Sequence, residues 1–151
     1  MIAALALTAA LTIAPASGEW HDLPDPIENG QKMRGGTSSL YKGPEYVAED
    51  NQRRVCIRFF ESRHAYGAKT GTGKYRGAYQ FSPAMGVGAG WMVQKSLREQ
   101  GVPKWQAIYI GRILRTEPVN RWAKLYQDHA FWLIWDGGNG RHHWPNTDRG
   151  C

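Results

Sequence analysis

Four glycines, Gly67, Gly71, Gly73 and Gly77, fall within eleven residues near the middle of this chain. Regular structure is costly across such a stretch, because glycine loses more backbone freedom on folding than any other residue. Helicity is therefore expected to fail after His64. A Gly-rich loop or short hairpin should follow, with Tyr75, Ala78-Tyr79 and Phe81 as brief extended pieces bounded by Gly77 and Pro83.

Helical patterns lie on both sides of this interval. Pro44-Glu45 suits a first helical turn, and Glu45, Glu49 and Asp50 suit its positive end, which predicts a helix over about 45–63. Its apolar surface would comprise Val47, Val55, Ile57, Phe59 and Phe60. The three glycines of 84–90 predict another turn. Helices are then expected over about 91–100, 103–115 and 117–135. In the second of these, Trp105, Ile108, Tyr109, Arg112 and Ile113 share one side, broadened by Ala107, Ile110 and Leu114. In the third, Val119, Trp122, Leu125, Tyr126, His129, Trp132 and Leu133 form the stripe that should supply much of the core, with His129 buried and hydrogen-bonded. The tail 137–151 reads as loop, with Trp144-Pro145 available to fold back. The fold class expected is mainly α: a compact helical domain with one short loop or hairpin.

With 151 residues the chain suits one small domain, and its seven Trp and seven Tyr argue against disorder. The uncharged run Met1–Ala16, closed by Ala14-Pro15-Ala16, resembles a signal peptide and is too short to span a bilayer. Residues 17–44, with Pro24, Pro26, Pro44 and five glycines, read as a flexible arm, which leaves 45–151 as the folded domain. A secreted or cell-wall location without a transmembrane anchor is expected. Cys56 and Cys151, the two cysteines, then have one possible intramolecular pairing in an oxidising compartment.

The formal charge of +6 fits an anionic polymer partner such as wall teichoic acid or peptide carboxylates. Nucleic acid is not expected, since no zinc-finger, helix-turn-helix or RNA-binding pattern is present. Metal and cofactor signatures are also missing: there is no CxxC, HExxH, GxGxxG after a strand, or GK[ST]. No GxSxG nucleophile motif occurs either. Asp136 and the basic turn Arg141-His142-His143-Trp144 read as a solvated segment, with a place for His143 and Trp144 at the end of a groove as the second reading.

Glu61 stands at the end of a helix, just before the glycine interval that can shape a cleft. Partial burial there would favour its neutral form, which is the requirement for a general acid. Thr70-Gly71-Thr72-Gly73-Lys74-Tyr75-Arg76-Gly77-Ala78-Tyr79-Gln80-Phe81 gathers hydroxyl, amide and aromatic groups suited to a polysaccharide, where rings stack on sugar faces and Gln80 reads hydroxyl or N-acetyl groups. Core packing is the competing role for Tyr75, Tyr79 and Phe81.

These residues resemble the lysozyme-like cell-wall lytic domains of the resuscitation-promoting factor and transglycosylase-like group. The likeness runs through Glu61-Ser62, Tyr66, Thr70-Gly71-Thr72-Gly73, Tyr75 and Gly77-Ala78-Tyr79-Gln80-Phe81, with one residue inserted before Gln80. It extends to Cys56 and Cys151 and covers about 45–151. Two departures stand out: Arg63-His64 replaces a pair of glycines, and no Thr-Trp step follows Phe81.

The resemblance implies an α+β lysozyme-like fold acting on the glycan strands of bacterial peptidoglycan, with Glu61 catalytic and Gln80, Tyr79, Tyr75 and Thr70 along the groove. It also implies a bridge from the catalytic helix to the terminus. No Asp or Glu occurs between Ser62 and Arg98, so a locally encoded carboxylate pair is disfavoured. That favours single-Glu, lytic-transglycosylase-type cleavage over muramidase-type hydrolysis. A non-catalytic peptidoglycan-binding module is the non-enzymatic alternative.

Overall fold

The computed structural model describes residues 22–28 and 34–151; the expected leader at 1–16 lies outside them. The described residues form a compact, mainly helical domain, in which β-pairing is limited to isolated bridges. Four helices carry the fold: α1 (Asn51–Ser62), α2 (Pro83–Glu99), α3 (Lys104–Thr116) and α4 (Lys124–Trp135). Short 3₁₀ turns at Ala48–Asp50, Val119–Arg121, Asp136–His143 and Asp148–Gly150 connect and close them. Among the described residues no helix is long and apolar enough to cross a membrane.

Helix α4 is the centre of the molecule. Nine of its twelve residues, from Tyr126 to Trp135, are buried, so it is enclosed on nearly every side rather than amphipathic. The expected helix over 117–135 starts late because Pro118 and Trp122 are extended, with ψ near 140° at both. Trp122 enters the core instead, and its indole N–H donates to the Glu117 carbonyl at 2.9 Å.

Helix α2 begins at Pro83, eight residues before the expected 91. Ser82 caps it by accepting from the Met85 amide at 3.2 Å, and Pro83 sits in the first turn, where no N–H is needed. The glycines read as a turn are contact points. A Cβ on Gly90 would lie 2.7 Å from Cγ of Arg115, so its absence lets α2 and the end of α3 approach closely. On α3 the buried stripe is Ala107, Ile110, Gly111 and Leu114. Trp105, Ile108 and Tyr109, expected to pack, face solvent: the small residues Ala107 and Gly111 allow close approach, and the aromatic side is left outside.

Helix α1 also corrects its expected face. It starts at Asn51, after the 3₁₀ turn, rather than at 45. Its buried residues are Arg54, Ile57 and Arg58, whereas Phe59 and Phe60 are exposed. The arginines are buried because their charges are met. Asp128 of α4 lies 3.4 Å from Arg54, with both side chains fully buried. Its Oδ1 accepts from the Tyr66 and Tyr79 hydroxyls at 2.7 and 2.5 Å, and its Oδ2 accepts from the Leu40 amide at 2.8 Å. Arg54 donates to Tyr79, Asn51 and the Thr37 carbonyl, and Arg58 to Tyr66 and the Gly36 carbonyl. One carboxylate thus joins α1, α4 and the two segments that flank α1.

The described parts of the expected flexible arm are packed. Tyr41 belongs to the core, and buried Ser39 accepts from the Trp132 indole at 3.0 Å. Ile27 bridges Trp122, and the Tyr126 hydroxyl donates to the Pro24 carbonyl. The described residues of this stretch form a strap held against the rest of the domain by these contacts and by backbone bonds to Arg121, Ala123 and His64. His129 is buried, stacked on Tyr41 with ring centroids 3.8 Å apart, and its Nε2 lies 2.9 Å from Ser96 Oγ. Burial holds its pKa well below the ordinary value, so the ring is neutral at physiological pH.

The disulfide Cys56–Cys151 closes the chain with a Cα–Cα separation of 5.7 Å. In the chain-entropy account, closing so long a loop stabilises by roughly 4 to 5 kcal/mol. The Asp128 network makes a separate prediction. Asp128→Asn leaves Arg54 buried without a counter-charge and should cost about 3 to 5 kcal/mol in denaturant unfolding of the oxidised protein. A loss under about 1 kcal/mol would show that the buried pair is not what holds α1 in place.

Candidate active site

Glu61 lies in the last turn of α1, whose end is set by backbone geometry. Arg63 and His64 both take left-handed conformations, with φ of 53° and 68°. Their amides close the helix onto the Phe59 and Arg58 carbonyls at 2.8 and 3.3 Å. Glycine adopts this geometry without steric cost; here two larger residues hold it. The Arg63 guanidinium lies over the Phe59 ring at 4.4 Å, and His64 Nδ1 accepts from Arg58. Ser62 then ties the helix end to the next segment by donating to the Ala78 carbonyl at 2.8 Å.

The glycine interval folds as two small loops. Thr70 and Tyr75 close the first, since the Thr70 amide donates to the Tyr75 carbonyl and Thr70 Oγ1 accepts from the Tyr75 amide. Reciprocal bonds between Arg76 and Phe81, at 3.0 and 2.9 Å, close the second. Gly77 is required inside it: φ is +83°, and a Cβ would lie 2.6 Å from Gln127 Oε1. That same oxygen accepts from the Ala78 amide at 2.8 Å and pins the loop to α4. Gln80, with φ of 53°, turns back so that its amide donates to the Gly77 carbonyl.

The tail supplies the opposite wall. Trp144 is buried, its indole donating to the Tyr79 carbonyl at 3.0 Å. Asp148 pairs with Arg53 at 2.6 Å and Arg141 at 3.3 Å, and Cys151 is bonded to Cys56. These attachments bring Thr147 to Glu61, where its hydroxyl donates to Oε1 at 2.9 Å.

The result is an open cavity of about 640 Å³. Glu61, Thr70, Tyr75 and Gln80 line it together with His142, His143 and the segment Trp144–Asn146. Tyr79 does not. Its ring is 1% exposed, and its hydroxyl serves Asp128 and Arg54, so the groove role expected of it is corrected to a core role. The turn at 77–80 points residue 79 inward while residue 80 reaches the surface.

Among the described residues, Glu61 is the one carboxylate lining the cavity. Four acids further along the chain lie elsewhere: Asp128 is buried in its network, Glu99 and Glu117 pair with Lys95 and Arg121, and Asp136 contacts Asn139. Burial raises the Glu61 pKa above the ordinary glutamate value, and the Thr147 hydrogen bond partly opposes that rise. His143 is exposed beside His142, and desolvation together with the neighbouring imidazole pushes its pKa below the ordinary histidine value, which favours the neutral ring. Among the described residues no cluster of three His, Cys, Asp or Glu could hold a metal ion. The arrangement therefore offers one proton-donating carboxyl, a neutral imidazole and a rim of hydroxyl, amide and aromatic groups.

Compared with family models, curated proteins and solved structures, the chain matches none of them.

Thr147 was not singled out in the sequence, although a signal existed. Cys56 stands five residues before Glu61 and Cys151 four after Thr147, so the bridge sets the two side chains about one turn from the same covalent point. Removing the hydroxyl in Thr147→Val takes away a donor that favours the carboxylate, so the Glu61 pKa should rise further. In a carbon-13 titration the Glu61 carboxyl of that variant should titrate at higher pH than in the parent protein. A downward shift, or none, would contradict the contact.

Proposed function

We propose that this chain is a secreted enzyme that cleaves the β-1,4 bond between N-acetylmuramic acid and N-acetylglucosamine in bacterial peptidoglycan, within a lysozyme-like cleft. The observation that carries the reading is the single half-buried carboxyl, Glu61, set in a groove with Thr70, Tyr75 and Gln80. A raised pKa keeps a fraction of Glu61 protonated where exposed glutamates have ionised, which suits a general acid. The Tyr75 ring, exposed at the rim, offers an apolar face to a pyranose.

In this mechanism Glu61 donates its proton to the glycosidic oxygen as the bond to the muramyl C1 breaks, and positive character develops on that sugar. The leaving N-acetylglucosamine keeps the proton as its 4-hydroxyl. The muramyl 6-hydroxyl then attacks C1 and returns its proton to the Glu61 carboxylate, giving a 1,6-anhydro end and restoring the acid. One carboxyl suffices because it acts first as acid and then as base. That no second acid lines the cavity among the described residues supports this route over a paired-carboxylate hydrolase. His143, neutral and in the same cavity, supports the alternative in which an imidazole assists water and a reducing end results.

Cell walls digested with the oxidised protein should yield soluble muropeptides with anhydromuramyl ends by mass spectrometry. Glu61→Gln should keep the circular dichroism spectrum and lose release by about a hundredfold or more. Reducing muramyl ends would select hydrolysis, binding to walls without fragments would select a non-catalytic module, and equal release by the variant would remove Glu61 from the chemistry. Release should also fall as pH rises through the elevated Glu61 pKa, because the acid form is the reactive one.

A further inference from the structure

The exposed sides of α2 and α3 carry a surface of a different character from the groove. Trp105 is 72% exposed and Tyr109 54%, with Ile108 also open to solvent, and Trp91 of α2 is 55% exposed. The two helices are joined along this side. The Arg115 guanidinium lies 3.6 Å from the centroid of Trp91 and donates to Gln94 Oε1 at 2.8 Å. None of these residues lines the Glu61 cavity.

The charge on this pair of helices is one-sided. Residues 83–116 contain Lys95, Arg98, Lys104, Arg112 and Arg115 against one acid, Glu99, which is a net +4 out of the chain's +6. Helix α3 has no acidic residue. On it, Trp105, Ile108, Tyr109 and Arg112 recur at helical spacing along the exposed side, with Lys104 beside them. Trp and Tyr rings favour the boundary between headgroups and acyl chains, and basic side chains favour anionic phosphate. An exposed isoleucine between them gains from apolar acyl chains and has no comparable partner in a sugar polymer. The strap that follows the apolar Met1–Ala16 run in sequence also meets this surface: Leu23, Pro24, Asp25 and Pro26 share a cavity of about 290 Å³ with Trp105 and Tyr109.

We propose that the exposed face of α2 and α3 docks on an anionic lipid bilayer, with Trp105, Ile108 and Tyr109 entering the headgroup boundary and Lys104 and Arg112 meeting lipid phosphates. This surface is separate from the groove and does not rest on the glycan-cleaving reading. An enzyme held in this way would work on polymer lying close to the membrane.

The test is sedimentation of the full-length oxidised protein with phosphatidylcholine vesicles, with and without about one-third phosphatidylglycerol. Binding should require the anionic lipid and weaken with salt. Trp105→Ser with Ile108→Ser should weaken it about tenfold or more. Lys104→Glu with Arg112→Glu should abolish the preference for anionic vesicles, and Glu61→Gln should bind as the parent does. Near-ultraviolet circular dichroism would establish that the surface variants are folded. The proposal is overturned by any of four results: no sedimentation with anionic vesicles, undiminished binding of the folded double-serine variant, binding to teichoic acid or isolated walls that this variant loses while vesicle binding is unchanged, or a dimer in light scattering that the variant abolishes.

Discussion

The Arg54–Asp128 pair is the contact on which the rest of the architecture depends. Two charges with no solvent exposure are costly to desolvate, and their mutual attraction offsets that cost only where the remaining donors and acceptors are also met. Here they are. The carboxylate accepts from two tyrosines and a backbone amide, and the guanidinium reaches Asn51 and a strap carbonyl. The consequence is positional more than energetic. Helix α1 has one buried apolar residue, Ile57, between its two buried arginines, so ionic geometry sets its rotation against α4. That rotation carries Glu61, seven residues after Arg54 and three after Arg58, to the edge of the buried face, where it is half covered.

A second constraint acts from the other end of the chain. The disulfide and the Asp148 ion pairs hold the tail against α1, and the tail returns both a wall of the groove and a hydrogen bond to Glu61. Burial and Thr147 push the Glu61 pKa in opposite directions. The carboxyl is therefore tuned by a segment that has no helix of its own beyond short 3₁₀ turns and owes its position to covalent and ionic attachment.

One wall of the cavity was legible in the sequence because its parts are local. Glu61, Thr70, Tyr75 and Gln80 lie within twenty residues, and the glycine interval folds them back on one another through short-range backbone bonds. The features that escaped depend on distance or on close approach. The arginine face of α1 could not be read because the counter-charge on Asp128 lies 74 residues beyond Arg54. The early start of α2 was hidden because Gly86, Gly88 and Gly90 resemble a turn until the neighbours of Gly90 are known. On α3, periodicity marked an apolar side but gave no means of choosing between Trp105–Tyr109 and Ala107–Gly111 as the side that packs. Tyr79 went to the core because consecutive turn residues point in different directions, and residue 79 met Asp128.

Under the proposed function, Glu61 is a protonatable carboxyl set where a glycan strand can reach it. Carbon-13 observation of the Glu61 carboxyl across a pH titration of the oxidised protein, with and without a soluble peptidoglycan strand, tests that most directly. The account predicts that Glu61 titrates above the other glutamates and that the strand shifts its resonance while leaving Glu99 unmoved. A Glu61 that titrates with the exposed glutamates and does not respond to the strand would contradict it.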